Sequence, residues 1–182
     1  MKPSVSREFA SRLFRQRLNA RVKPSYLTWH SVNAADGRPL AVLGYRGAAH
    51  GPLFLEAYLD RPIEAVVSEQ LGVEVDRARI VEIGCLAALP SAALVRLWHG
   101  SAMQLVAQFD IAVATLTQPL RLAFDRVGLP FTEVAPARRD RAPRTNERWG
   151  AYYDLDPVVC AGRIGVGLET LARYVSRTER AA

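Results

Sequence analysis

Glu82 interrupts the otherwise apolar run Arg79-Ile-Val-Glu-Ile-Gly-Cys-Leu-Ala87. Desolvation raises the pKa of a carboxylate carried into such a strand, and a group of this kind can take a proton from an amine nucleophile, directly or through water. The alternative is a structural carboxylate paired with a nearby arginine. A second cluster, Tyr152, Tyr153 and Asp154, follows Trp149-Gly150. There a tyrosine can protonate a leaving thiolate or amine and Asp154 can hold a cationic substrate, or the loop is simply packed, with its hydroxyls on backbone groups. Glu56, Tyr58 and Asp60 suit an ammonium group or a solvated loop. Cys85, at the end of the apolar run, is either a thiol nucleophile or a small buried inert residue.

Other chemistries find no support. His30, His50 and His99 fall on a strand, in a loop and on a helix, without metal-ligand spacing, so no metal is expected. Cys85 and Cys160 form no C-x-x-C pair. Neither a Gly-x-Ser-x-Gly elbow nor a phosphate-binding Walker loop occurs, and Gly162-Arg-Ile-Gly-Val-Gly167 follows no expected strand, which argues against a dinucleotide fingerprint.

These residues need elements to hold them. Ser6 to Leu18 places Phe9, Leu13, Phe14 and Leu18 on one side with arginines opposite, which predicts an N-terminal helix over about 6–20, capped by Ser6 and ended by Pro24. Tyr26 to Val32 and Leu40 to Arg46, joined through Asp36-Gly37, predict a hairpin. Pro62 opens a helix carrying Ile63, Val66 and Val67 that Gly72 closes. The run at 79–87 predicts a buried central strand, Ser91 caps a helix reaching about Phe109, and Ile111 to Leu116 is a second buried strand. A helix with Leu120, Ala123, Phe124 and Val127 on one face ends at Gly128. Leu129 to Val134 predicts another strand, Arg138 to Arg148 a mobile arginine-rich loop, and the stripe Ile164, Leu168, Leu171 and Val175 a C-terminal helix over about 157–177. This order predicts an α/β (α+β) domain over 1–182, a mixed sheet with helices on both faces.

A chain of 182 residues with 49% hydrophobic and 23% charged residues can bury a core, which excludes disorder and a miniature disulfide scaffold. No apolar window reaches membrane-spanning length, since Gln108 and Asp110 interrupt the stretch from Leu105 to Leu116. Without an apolar region before Phe9, no secretory signal is expected and the cytoplasm is the expected compartment. The net charge of +6 resides in residues 1–23, where Lys2, Arg7, Arg12, Arg15, Arg17, Arg21 and Lys23 face Glu8 alone. This is a solvated helix face or a docking surface for an acidic partner: a carrier protein, nucleic acid or anionic lipid. Nucleic acid is not expected, because no aromatic-interleaved basic motif accompanies the charge.

The element order resembles the GNAT (acyl-CoA N-acyltransferase) fold, with a mostly antiparallel central sheet. Val81-Glu-Ile-Gly-Cys-Leu-Ala87 is similar to the Glu-Ile-Ser-Arg-Phe-Ala-Val type of strand in acyl-homoserine-lactone synthases. Pro52-Leu-Phe-Leu-Glu-Ala-Tyr-Leu-Asp60, Ile80-Val-Glu-Ile-Gly-Cys-Leu-Ala87 and Trp149-Gly-Ala-Tyr-Tyr-Asp-Leu-Asp-Pro157 resemble a bacterial family named for thermostable hemolysin, joined by Gly128-Leu-Pro130 over roughly residues 30 to 170. Cys85 departs from the asparagine expected there.

The resemblance implies transfer of a fatty acyl group from a thioester, acyl carrier protein or acyl-CoA, to the amine of a small amino-acid-like acceptor, with no permanently bound cofactor. Glu82 would be the base and Tyr152 or Tyr153 the acid or oxyanion donor. Residues near Leu86, Ala87 and on to Ala92 would form the donor edge, with Cys85 beside them, and Glu56, Tyr58 and Asp60 the amine side, with Trp149 and Asp154 at the substrate. The GNAT turn that cradles coenzyme A pyrophosphate is Gln/Arg-x-x-Gly-x-Gly/Ala, whereas Ala88-Leu-Pro-Ser-Ala-Ala-Leu94 has no glycine, which favours a carrier protein. The family name also implies an alternative, a non-enzymatic membrane-active protein using its basic amphipathic helix on anionic lipid, a peripheral membrane contact.

Overall fold

The computed structural model describes residues 3–90, 92–143 and 147–180, apart from the side chain of Glu179. Its main elements are α1 (Pro3–Leu18), β1 (Thr28–Asn33), β2 (Pro39–Gly47), α2 (Ile63–Leu71), β3 (Ile80–Ala88), α3 (Ala93–Leu105), β4 (Ile111–Leu116), α4 (Gln118–Val127), β5 (Thr132–Pro136), β6 (Val158–Arg163) and α5 (Ile164–Arg180). The six strands form one sheet in the order β1-β2-β3-β4-β6-β5. Every neighbouring pair is antiparallel except β3 with β4, which the α3 crossover makes parallel.

Local chemistry sets the helix ends. Pro62 precedes α2 and Gly72 closes it at φ 64°. Likewise α4 follows Thr117, carries a proline in its first turn, and stops at Gly128, φ 72°, whose N–H bonds Asp125 while that of Leu129 bonds Phe124. Helices cover both faces. On one, Phe9, Ala10 and Leu13 of α1 pack on Val42 and Ala87, while Ile63 and Val67 of α2 pack with Ile80, Ile111 and Val113. On the other, Leu97 of α3 meets Leu43, and Leu105 and Ile164 meet Val81. Trp98, Val127 and Leu171 then join α3, α4 and α5. Each such aliphatic side chain contributes about 1.5–3 kcal/mol on burial.

Two irregularities open the sheet. Val42 faces Ala87 and Gly44 faces Gly84, so the single Leu43 opposes both Cys85 and Leu86. This is a β-bulge, with Cys85 at φ 49°, and it bends β3. Parallel pairing with β4 ends at Ile83 and Ala114, although the strands run on to Ala88 and Leu116. Beyond that point the two strands are no longer paired.

Several expectations need correction. Residues 158–163 are strand β6, wedged between β4 and β5, so the last helix begins at Ile164 rather than near 157. The glycine-rich stretch at 162–167 therefore does follow a strand, but Ile164 enters the helix at once, its N–H on Asp110, leaving no phosphate-binding loop. Ser6 lies inside α1, buried, instead of capping it. Strand β5 starts at Thr132, three residues late, because Leu129 to Phe131 complete the turn out of α4. The α3 helix ends at Leu105, before Phe109, and Ser91, its expected cap, lies outside the described residues. Phe9, Ala10 and Leu13 of the apolar stripe of α1 are spent on the sheet, while its arginines and Val5 face water. Among the described residues, no helix is long and apolar enough to cross a membrane.

Candidate active site

A cavity of about 550 Å³ occupies the gap between β3 and β4 and reaches both faces of the sheet. Its deep half, between the sheet and α3, α4 and α5, is lined by apolar groups including Trp98, Ala102, Leu105, Phe124, Phe131 and Leu171. The half towards α1 carries Phe14, Tyr26, Phe54, Glu82, Trp149 and Tyr152. The bulge residues Cys85 and Leu86 stand on its edge.

Glu82 is 2% exposed. Its carboxylate accepts the N–H of Leu55 at 2.8 Å and of Phe54 at 3.1 Å, at the start of a 3-10 turn over Phe54–Tyr58. Burial nevertheless raises its pKa, the two backbone bonds and the field of Arg46 opposing. Arg46 is its register partner on β2, but the guanidinium bonds the carbonyl of Pro52, and among the described residues Glu82 makes no ion pair. Its partners are backbone amides and not the arginine expected of a structural carboxylate.

The residue unforeseen from sequence is Tyr26. It stands just before β1, with its ring flat against the sheet and its hydroxyl over Gly84, two residues along β3 from Glu82. Gly44 and Gly84 face each other directly across β2 and β3. A Cβ on Gly44 would lie 2.7 Å from the ring, and one on Gly84 2.1 Å from the hydroxyl oxygen. The signal was present: a glycine inside each of two apolar strands marks a close approach. Burial, then the negative charge of Glu82, holds the Tyr26 pKa well above its ordinary value.

Tyr152 and Tyr153 diverge. The Tyr152 hydroxyl lies in the cavity, 3.5 Å from the Thr115 carbonyl of β4, and burial raises its pKa. Its ring stacks on Phe14 at 6.5 Å and packs against Trp149 at 5.2 Å. Tyr153 turns away from the cavity, sharing a 2.8 Å hydrogen bond with Tyr58 beneath the Arg139 guanidinium. Asp154 pairs with Arg139 at the surface.

Residues 147–151 lie along residues 18–23. Arg21 and Arg148 exchange backbone bonds, the N–H of Lys23 donates to Glu147 at 2.7 Å, and that of Ala151 to Leu18. Gly150, φ 52°, passes so close that a Cβ would lie 1.9 Å from the Leu18 carbonyl oxygen. This clasp roofs the cavity beside Tyr26. It also orders the end of the Arg138–Arg148 loop, which opens with a 3-10 turn at Arg139–Arg141, while 144–146 lie outside the described residues.

Three residues expected on the amine side sit elsewhere. Glu56 accepts the N–H groups of Leu53 and Ile63 and two bonds from Arg77, which hold its pKa down at about 2, so its carboxylate is already saturated. Tyr58 is buried against Tyr153, and Asp60 pairs with Arg141 in solvent. Ala87 packs under α1. The Cys85 thiol is pushed by burial up to about 12, too high for a thiolate nucleophile. Its left-handed φ is a conformation that asparagine tolerates better, a physical reason for the asparagine expected there. His30 shares a 2.9 Å hydrogen bond with Ser101.

The sequence model of a family described as thermostable hemolysin matches residues 2–168. No curated protein matches in sequence. Among solved structures, TofI in an apo form superposes with TM-score 0.64 at 14% identity, covering 93% of this chain and 87% of TofI. BjaI, a CoA-dependent acyl-homoserine lactone synthase with SAM and isopentyl-CoA, gives 0.62 at 13% identity, with 96% and 82% covered. FeeM, an N-acyl amino acid synthase from uncultured soil microbes, gives 0.57 at 15%, with 89% and 90% covered. At these identities the likeness shows the fold, and it bears out the GNAT-like sheet expected from the element order.

Proposed function

This chain belongs to the thermostable hemolysin family, and we propose that it transfers a fatty acyl group from a thioester to the amine of a small amino-acid-like acceptor. The observation that carries this reading is the cavity through the splayed β3 and β4, apolar at one end and furnished with Glu82 and tyrosines at the other. An acyl chain fills the deep half among Trp98, Phe124 and Leu171, which places its thioester carbonyl at the gap. The amine nitrogen attacks that carbonyl from the side of Tyr26 and Trp149. Glu82 takes the amine proton, the carbon–sulfur bond breaks, and the Tyr152 hydroxyl donates to the developing oxyanion. The activities named for BjaI and FeeM, on the same fold, support the class of reaction.

Delivery by acyl carrier protein rather than coenzyme A is supported by the glycine-free sequence between β3 and α3. The basic charge concentrated in residues 1–23 is complementary to an acidic carrier. Cytoplasmic thioester pools make the cytoplasm the compartment of this reading.

Intact-mass spectrometry of the protein with acyl-carrier and acyl-CoA thioesters plus pooled amino acids tests it. Thioester loss with a new N-acyl product is expected, and Glu82→Gln should lower the rate roughly 10²–10⁴-fold. The rate should rise with pH through a midpoint above the ordinary carboxylate range, since burial raises the pKa of Glu82. If no thioester is consumed while the protein releases dye from anionic vesicles, acyl transfer is the wrong reading and membrane lysis replaces it.

A further inference from the structure

We propose that Tyr26 is the catalytic residue that carries the acceptor's proton to Glu82, an inference that rests on the acyl-transfer reading. Glu82 is 2% exposed and its carboxylate is held by the amides of Phe54 and Leu55, so little of it is open to a substrate. The Tyr26 hydroxyl rests over Gly84, two residues along β3 from Glu82 and so on the same face of the strand, and both side chains border the same cavity. The surrounding sheet is shaped to keep it there. Its ring occupies a notch made by two glycines in register, Gly44 and Gly84, neither of which has room for a Cβ. The Arg46 guanidinium stands 5.5 Å from the ring centroid, Trp29 meets the ring edge-on at 6.4 Å, and the Trp29 indole N–H donates to the Tyr26 carbonyl at 2.9 Å. The notch therefore fixes the ring, and with it the position of the hydroxyl, over β3.

As the nitrogen–carbon bond forms, the amine proton passes to the Tyr26 oxygen while the tyrosine's own proton passes to Glu82. Tyr26 is neutral before and after, Glu82 becomes the carboxylic acid, and the electron pair of the carbon–sulfur bond leaves on sulfur. The proton on Glu82 then returns along the same path to the departing thiolate, which leaves as the thiol. The ionisable groups around this path include Glu82, Arg46 and Cys85, with Tyr152, Lys23 and Glu147 lining the same cavity and Arg7 on the Tyr26 carbonyl.

Tyr26→Phe keeps the ring in its notch and removes one oxygen. With the thioester and amine the wild type consumes, the variant is expected to lose about 10²-fold in kcat, with acceptor KM within about twofold and an unchanged melting temperature. Combined with Glu82→Gln, it should add little to the loss from Glu82→Gln alone, because both remove one proton path, whereas a merely structural tyrosine would multiply the two losses. Wild-type kcat in Tyr26→Phe, or fully multiplicative losses, would overturn the relay and leave acyl transfer standing. A wild type that consumes no thioester overturns both.

Discussion

Glu56 and Glu82 meet at the same 3-10 turn, and their surroundings drive their ionisation apart. Glu56, bonded by Arg77 and two amides, is favoured as the anion. Its folded pKa of about 2 lies below the ordinary 4.5, so its contribution is complete above that value and is lost as pH falls towards about 2. Glu56→Ala is therefore expected to cost about 2–3 kcal/mol in urea unfolding at neutral pH and progressively less in acid. Glu82 is the opposite case: burial raises its pKa, which makes its carboxylate a stronger proton acceptor. Residue type was enough to single out Glu82, because a charge inside an apolar strand demands an account. It could not reveal that Glu56 is already neutralised, since Arg77 lies 21 positions away. Tyr26 escaped notice for a related reason: its significance lies in the missing side chains of Gly44 and Gly84.

At the scale of elements, strands and helices with strong punctuation were legible to within a residue or two: α2 and α4 between proline and glycine, and β4 by its apolar run. Strand β6 was not. Val158 to Arg163 is short, buried through most of its length, and runs straight into the stripe of α5, so its apolar residues read as the first turns of that helix. The bulge in β3 is equally invisible in a run of apolar letters, yet it sits just beyond the point where β3 and β4 cease to pair. Cys85 holds it at φ 49°, where a side chain other than asparagine or glycine is strained. Cys85→Asn is expected to raise stability by about 0.5–1 kcal/mol in thermal or urea unfolding while leaving thioester turnover intact. Loss of turnover in that variant would instead reinstate the thiol as the nucleophile.

For the molecule as a whole, the two halves of the cavity are built by different parts of the chain. The apolar half belongs to the sheet and to α3, α4 and α5, whereas the roof joins residues 18–23 to residues 147–151, with Lys23 and Glu147 separated by 124 positions. Closing so long a loop costs entropy that a few backbone bonds repay only once the sheet already stands. The roof should thus be the last part to assemble and the first to open, a cooperative unit with its own smaller opening free energy. Amide hydrogen exchange would register this as faster labelling of Arg21, Lys23, Arg148 and Ala151 than of β2, β3 and β4, with all four exchanging together. Equal protection across roof and sheet would mean that the cavity opens only when the whole protein unfolds.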